Sequence, residues 1–296
     1  MKTMPKLAHL TMFKDIVHCG SLHDAAKKLA VSQPTLSRVL KELEMSIGAR
    51  LLERSNRGVR LTAVGELFYR RIDAATNQLL NAFDELRGLS ADGEKRLRVG
   101  MSVDPLLCYL PQVLEGFNRR YPHTRVTVVE DGPEGLLARL RNCELDLAVS
   151  SLNGAAGGAD LAMQALKSER FSLYQGGDLT AAGQPPAEAK WVVPRSCSVG
   201  HAAIREIAER YTPHGQIVET DSFLATWCLV RQQGYIALLS DRVVAHYAPQ
   251  LHLHLQKIPT HEIDISARFY VFTRHEPATP PLSAAFIHLL QTLQTG

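Results

Sequence analysis

Side chains at residues 32–41 have types and spacings that suit contacts with the base edges of duplex DNA. A Gln can pair bidentately with adenine, an Arg or Lys can pair with guanine, and a Thr methyl group can contact a thymine methyl group. The candidate residues are Ser32, Gln33, Pro34, Thr35, Ser37, Arg38 and Lys41. The apolar residues between them recur at helical spacing, which predicts a helix that buries one face and exposes these side chains.

Two short helices joined by a tight turn are predicted to position the candidates. Ser21 is a good N-cap for the first helix, and Asp24 three residues later completes a capping box. The two alanines at 25–26 allow close packing between the helices. Ser32 caps the second helix, and Pro34 lies in its first turn, where the missing N–H costs little.

A basic hairpin is predicted after the second helix. Arg54, Arg57 and Arg60 surround an Asn and a Gly, residues that tolerate the positive φ of a tight turn. Such a hairpin can lie along a phosphate backbone, so Arg54 and Arg57 are candidate DNA contacts. Thr62 is a further candidate, and it is also placed to cap the helix that follows.

The segment from Gly20 to Gly65 resembles the N-terminal domain of LysR-type transcriptional regulators. The matching pieces are GS at 20–21, AA at 25–26, VSQPTLSR at 31–38, LE at 43–44, Gly48, ER at 53–54 and LT..G at 61–65. Leu52 stands where the family usually has Phe, and both residues are apolar and of core size. The resemblance implies a winged helix-turn-helix that binds double-stranded DNA, with RNA polymerase as a further partner.

Charge and hydropathy agree with this interpretation. Residues 1–90 carry 14 Lys and Arg against 9 Asp and Glu, whereas residues 91–296 carry 19 against 21. The basic excess therefore lies in the segment expected to contact DNA phosphates. The chain has neither an apolar run of transmembrane length nor a clean signal-peptide core, so we expect a cytoplasmic protein without membrane contact.

A long apolar stripe follows the hairpin, on a predicted helix from Thr62 to about Gly88. Its members are Val64, Phe68, Ile72, Ala75, Leu79, Phe83 and Leu86. A projecting helix with such a stripe needs a partner surface. In the LysR family this segment is a linker helix that pairs with its copy, which implies a homodimer and, from two dimers, a homotetramer. Packing against the chain's own body is the alternative.

The rest of the chain alternates between strand and helix patterns. Residues 97–150 read as strand, helix, strand, helix, strand, residues 170–240 repeat the alternation, and a late strand at 267–273 precedes a helix at 282–293. This order predicts an α/β fold with parallel strands and right-handed crossovers. Two Rossmann-like subdomains joined by two crossovers resemble the LysR effector-binding domain and the type II periplasmic binding proteins.

Three parts of the chain are therefore expected. A winged helix-turn-helix DNA-binding domain covers residues 1–62, a dimerisation helix covers 63–90, and an effector-binding domain covers 91–296. Within the last, subdomain I covers about 94–163 and 266–296, and subdomain II covers about 164–265.

Ligands of α/β units bind beyond the carboxyl ends of strands, close to helix N-termini. That rule selects Ser102, Val103, Asp104, Asp131, Gly132, Ser150, Arg195, Ser196, Cys197, Ser198, Thr220 and Asp221 as candidate effector-binding residues. Arg195 and the nearby hydroxyl groups suit a carboxylate, as in many family members. Several carboxylates near the same mouth would instead suit a cationic or zwitterionic ligand, and the sequence leaves both classes open.

Other chemistries have weaker support. Cys197 at a helix N-terminus makes a cysteine-based redox sensor of the same family an alternative, and Cys228 is expected to be a core residue. His252 and His254 would share a strand face, but no third metal ligand is evident, and neither a cofactor nor an enzyme activity is expected. A stand-alone small-molecule binding protein is the remaining alternative.

Overall fold

The computed structural model of the chain describes residues 5–55, 58–88, 95–151, 160–176, 189–194, 201–212, 216–259, 265–275 and 279–293. The chain divides into two compact units, residues 1–91 with 141–144 and residues 92–140 with 145–296. Within the described ranges, no helix is both long enough and apolar enough to cross a membrane.

Three short helices form the core of the first unit. They are α1 (Leu7–Cys19), α2 (Leu22–Lys28) and α3 (Gln33–Ile47). Both predicted caps are present: the Ser21 hydroxyl accepts a hydrogen bond from the Asp24 N–H at 3.0 Å, and the Ser32 hydroxyl accepts one from the Thr35 N–H at 3.2 Å. Apolar side chains from all three helices, with Phe13 at the centre, form one buried cluster.

A two-stranded wing and a long helix complete the first unit. The wing pairs β1 (Leu52–Ser55) antiparallel with β2 (Gly58–Leu61), and the long helix is α4 (Ala63–Gly88). The first turns of α4 belong to the core, since the rings of Phe68 and Tyr69 lie 5.6 and 6.3 Å from the ring of Phe13. An ion pair of 2.7 Å between Lys14 and Asp73 also ties α1 to α4.

The second unit contains two α/β halves on one mixed sheet. The first half comprises β3 (Lys95–Met101), α5 (Val103–Arg120), β4 (Thr124–Glu130), α6 (Pro133–Arg141) and β5 (Leu147–Ser151). After β6 (Leu161–Gly176), the second half comprises β7 (Trp191–Val193), α7 (His201–Tyr211), β8 (Ile217–Glu219), α8 (Phe223–Gln233), β9 (Ile236–Ser240), α9 (Asp241–Gln250) and β10 (Leu255–Lys257). β11 (Ile265–Arg274) and α10 (Pro281–Thr292) end the chain's described elements.

The sheet confirms the predicted α/β class. Its order among the described residues is β4-β3-β5-β11-β6-β9-β7-β8, and β10 pairs with β6. β3 is parallel to β4 and β5 in the first half, and β7 is parallel to β8 and β9 in the second. β6 and β11 instead run antiparallel to their neighbours.

Two long strands, β6 and β11, connect the halves. They pair with each other, and their register shifts between Arg268 and Tyr270. On one side of the shift, residues 269–272 of β11 pair with β5, and on the other, residues 171–175 of β6 pair with β9. An irregular register where the two strands pass from one half to the other increases the local twist and favours bending there.

Two strand predictions differ from the structure. β6 begins at Leu161 rather than at residue 170, and its first part, LAMQALKSE, is largely exposed and lacks the regular alternation of apolar and polar residues that predicts a strand. The predicted strand face shared by His252 and His254 is wrong, because His252 lies in a turn with φ of 53° and β10 begins at Leu255.

Two helix predictions also need correction. No helix is predicted from the sequence after residue 240, yet α9 starts at Asp241 directly after β9. The expectation that Cys228 is a core residue is wrong, because the residue is exposed on α8. Trp227 and Val230 are the buried residues of that helix, while Leu224 is exposed together with Cys228. The helix is apolar on both faces, so the spacing of its apolar residues does not indicate which face is buried.

Candidate nucleic-acid interface and ligand cavity

The solvent side of α3 carries the residues expected to contact DNA. Leu36, Leu40 and Leu43 are buried on the opposite side. Ser32, Gln33, Pro34, Arg38 and Lys41 are exposed, and Thr35 and Ser37 are half-buried. The Arg38 side chain keeps 74% of its surface exposed and faces Glu42 at 3.9 Å. An ion pair that is this exposed and this long contributes little to stability, so the guanidinium remains available to another acceptor.

Glu44 positions the wing against α3. Its Oε1 atom accepts hydrogen bonds from the backbone N–H groups of Leu51 at 2.8 Å and Leu52 at 3.2 Å. These bonds tie the last turns of α3 to the start of β1, which fixes the helix and the wing in one geometry. The sequence reasoning gave Glu44 no role, although the pair LE at 43–44 was part of the family resemblance.

The wing is also attached to the end of α1. The Val59 N–H donates to the Gly20 carbonyl at 2.9 Å. Gly58 has φ of 116°, and a Cβ at this position would overlap the Gly20 carbonyl oxygen, so the site requires glycine. Arg54 lies on β1 opposite Val59. Arg57 lies outside the described residues.

Thr62 caps α4, as the sequence predicted. Its hydroxyl donates to the Arg50 carbonyl at 2.8 Å and accepts from the Gly65 N–H at 2.9 Å. Both bonds are internal to the fold, so a contact between Thr62 and DNA stays a prediction.

The apolar stripe of α4 divides into two parts. Phe68 and Ile72 pack against the core of the first unit, as the own-body alternative anticipated. The later stripe residues Leu79, Phe83 and Leu86 are 46%, 56% and 63% exposed, and Leu80 beside them is 59% exposed. Four large apolar side chains in close sequence form a surface of the kind that marks a protein interface.

A cavity of about 450 Å³ lies between the two halves of the second unit. Its wall includes the residues that follow β3 and β4, the last residue of β5 and the first residues of α5, α6 and α8. This is the edge at which parallel strands are expected to place a ligand. The apolar part of the lining includes Pro133, Phe171, Val192, Phe223, Leu238 and Leu239. The volume and this lining suit a small organic molecule.

Most candidate effector residues meet at this cavity. Those in its wall are Ser102, Val103, Asp104, Asp131, Gly132, Thr220 and Asp221. From β5, Ser151 lines the cavity rather than Ser150, whose Oγ is buried with no hydrogen-bond partner among the described residues. The candidates Arg195, Ser196, Cys197 and Ser198 lie outside the described residues.

Some of the polar groups in or beside this wall accept hydrogen bonds from backbone N–H groups near helix N-termini. Ser222 caps α8 by accepting from the Ala225 N–H at 3.2 Å, and Thr220 accepts from the Ser222 N–H at 3.1 Å. Asp131 accepts from the Gly132 N–H at 2.8 Å. Ser102 stands at the N-terminus of α5 without such a cap bond, so its hydroxyl faces the cavity uncommitted to that helix.

A partly buried polar network joins α5, β6 and α9 near Asp104. The Tyr109 hydroxyl donates to Glu169 Oε1 at 2.6 Å, and Arg242 approaches the same oxygen at 3.4 Å. The Arg242 guanidinium also lies 5.0 Å from the centre of the Tyr109 ring. Burial, and next the negative charge of Glu169, raise the pKa of the Asp104 carboxyl to about 7.

The environment of Cys108 and the arrangement of the described acidic residues bear on redox and metal chemistry. Burial raises the pKa of the Cys108 thiol to about 12, so this thiol stays protonated and unreactive. No group of three or more His, Cys, Asp or Glu side chains in the described ranges could hold a metal ion.

Two families match this chain. Residues 7–66 match the bacterial regulatory helix-turn-helix proteins of the lysR family, and residues 90–294 match the LysR substrate binding domain. The HTH-type transcriptional regulator TdcA of Escherichia coli (strain K12) is 26% identical over 244 residues, which cover 80% of this chain and 77% of TdcA.

Solved structures share the fold. CbnR, a LysR family transcriptional regulator, superposes with a TM-score of 0.70 at 19% identity, covering 98% of this chain and 99% of CbnR. Full-length CbnR complexed with its target DNA gives a TM-score of 0.69 at 19% identity, covering 97% of this chain and 99% of that one.

Proposed function

Because this chain belongs to the LysR family of helix-turn-helix transcriptional regulators, we propose that α3 reads an operator and that the cavity of the second unit binds the regulating effector. The proposal keeps the expected parts: DNA-binding residues 1–62, a dimerisation helix at 63–90 and an effector domain at 91–296. A cytoplasmic location and contact with RNA polymerase accompany it as expectations for a regulator of transcription.

The observation that carries the DNA-binding proposal is the exposed polar side of α3. Gln33, Arg38 and Lys41 project from a helix whose apolar side is buried, and their types match the base edges of the major groove. The Glu44 bonds and the Gly20–Val59 bond hold the wing beside that helix, which suits it to contact the adjacent phosphates. CbnR, whose fold this chain shares, has been solved in complex with its target DNA, which supports the same role for this chain.

The exposed part of the α4 stripe supports self-association. Leu79, Leu80, Phe83 and Leu86 would bury this surface against a second copy, which would give a homodimer. A dimer presents two recognition helices to half-sites about one DNA turn apart. Association of two dimers would give the homotetramer.

The two strands that connect the halves, β6 and β11, support regulation by a ligand. A molecule bound between the halves contacts both of them, and β6 and β11 carry the connection through an irregular register. If the two halves can adopt two relative orientations, a ligand shifts the equilibrium toward the orientation that it binds more tightly.

Selection of duplexes from a random DNA pool by the full chain tests the function. Arg38→Ala should weaken binding to the selected duplex by about tenfold or more, as loss of a base contact does. Arg119→Ala is the matched control, because Arg119 is 77% exposed and pairs with a Glu one turn away, as Arg38 does. Failure to enrich any sequence, or equal losses for the two variants, would reject α3 as the reading helix.

A further inference from the structure

The cavity of the second unit has an acidic wall. Its carboxylate side chains are Asp104, Glu130, Asp131, Glu134 and Asp221. Among the described lining residues there is no Lys, Arg or His. The remaining lining is largely apolar, with Phe171 contributed by β6 and Phe223 by α8. This combination disfavours an anionic ligand and favours a positive group attached to an apolar body.

Asp104 and Glu130 are the acids in this wall that make no hydrogen bond or ion pair with a described residue, and of the two only Asp104 is half-buried. Its neighbour Asp131 accepts from the Gly132 N–H and faces Arg139 at 3.4 Å. No hydrogen bond or ion pair reaches the Asp104 carboxyl from any described residue, although the side chain is half-buried in the cavity wall. A carboxylate in such a partly desolvated place is stabilised when a cation or several donors satisfy it. The uncommitted Ser102 hydroxyl lies beside it in the same wall.

We propose that the effector carries a protonated amine on a small apolar body, and that the amine pairs with the Asp104 carboxylate inside the cavity. The Ser102 hydroxyl accepts a further hydrogen bond from the ammonium group, and Phe171 and Phe223 pack against the apolar part. The inference rests on the proposed effector function of this cavity and names the chemical class of its ligand.

Binding through Asp104 makes the affinity pH-dependent. The charged and titratable groups nearest this carboxyl are Glu169 on β6 and Cys108 on α5, and Arg242 on α9 contacts Glu169; the acids Glu130, Asp131, Glu134 and Asp221 line the same cavity. With its pKa at about 7, Asp104 is mostly ionised at pH 8 and mostly protonated at pH 6. Affinity for an amine should therefore fall about tenfold between these pH values, since an aliphatic amine stays protonated at both.

Isothermal titration of the full chain with paired small molecules tests the inference. Phenethylamine and putrescine are compared with 3-phenylpropionate and adipate, which replace each ammonium group by a carboxylate on the same skeleton. The amines should bind and the carboxylates should not, within concentrations up to about 10 mM. Asp104→Asn should lower amine affinity at least tenfold and remove its dependence on pH. Glu115→Gln, which removes one charge from the outer side of α5, should change neither.

The possible results distinguish an error in the ligand class from an error in the proposed effector function of the cavity. Binding of the carboxylates in preference to the amines would overturn the ligand class and leave an effector cavity in place. Absence of amine binding, or amine binding that survives Asp104→Asn, would overturn the inference. DNA binding by the same preparation reports independently whether the chain acts as a regulator.

Discussion

Replacement of Asp104 by Asn isolates the effect of one carboxyl group on the folding of the second unit. In the unfolded chain this carboxyl ionises with a pKa of 3.8, whereas the folded chain holds its proton up to about pH 7. As pH rises between these values, the unfolded state releases a proton that the folded state keeps, so the free energy of unfolding falls. Asn keeps the shape of the side chain and cannot ionise.

The size of the effect follows from the two pKa values. Near pH 4 the variant and the natural chain should be almost equally stable. The variant should gain about 2 kcal/mol by pH 5 and about 4 kcal/mol by pH 8, as upper limits because the cavity is open to water.

Urea denaturation of the full chain, followed by tryptophan fluorescence, measures this gain. The two tryptophans, Trp191 and Trp227, both lie in the second unit, so their fluorescence reports that unit within the intact protein. Glu130→Gln is the control, because Glu130 is an exposed acid in the same wall and its loss should change stability by less than about 0.5 kcal/mol. A difference in stability between Asp104→Asn and the natural chain that does not change with pH would show that folding does not raise the pKa of this carboxyl.

Four further predictions concern other parts of the molecule. Lys41→Ala should reduce the slope of log K against log salt for DNA binding by about one phosphate contact, measured by fluorescence anisotropy; an unchanged slope would place Lys41 away from the backbone. Gly65→Ala should destabilise the first unit by about 1–3 kcal/mol in thermal unfolding, because the new Cβ overlaps the carbonyl oxygen of Leu51. Phe83→Asp should shift the sedimentation profile from dimer to monomer without loss of helicity, since Phe83 is 56% exposed on α4, and an unshifted profile would exclude this surface. Thr212→Val should destabilise the second unit by about 1–3 kcal/mol, because the buried indole N–H of Trp191 loses its acceptor at 2.6 Å; equal stability would mean that the N–H finds another partner.

The first unit was predictable because its signals are local. Ser21 and Ser32 cap helices that begin at the following residue, and the spacing of buried leucines fixes which side of α3 faces the core. Exposure of Gln33, Arg38 and Lys41 follows from that spacing alone. The position of the wing was less accessible, since Glu44 acts on backbone groups seven and eight residues away and no periodic pattern records such a bond.

The second unit shows where sequence patterns fail. The parallel crossovers were predictable from alternation, but the first part of β6 is largely exposed and lacks regular alternation, and its pairing with β11 is set by residues about a hundred positions away. The environment of Asp104 was equally unpredictable from the sequence. Its position at a helix N-terminus suggested a cap, whereas its desolvation and the nearby charge of Glu169 come from packing of α5 against β6.

A hydroxyl-radical footprint of the full chain on its selected duplex shows whether α3 reads the operator. We expect two protected half-sites about one helical turn apart, with protection lost when Gln33 is replaced by Ala. A duplex that stays unprotected, or protection that Gln33→Ala leaves unchanged, would contradict the assignment of α3 as the helix that reads the operator.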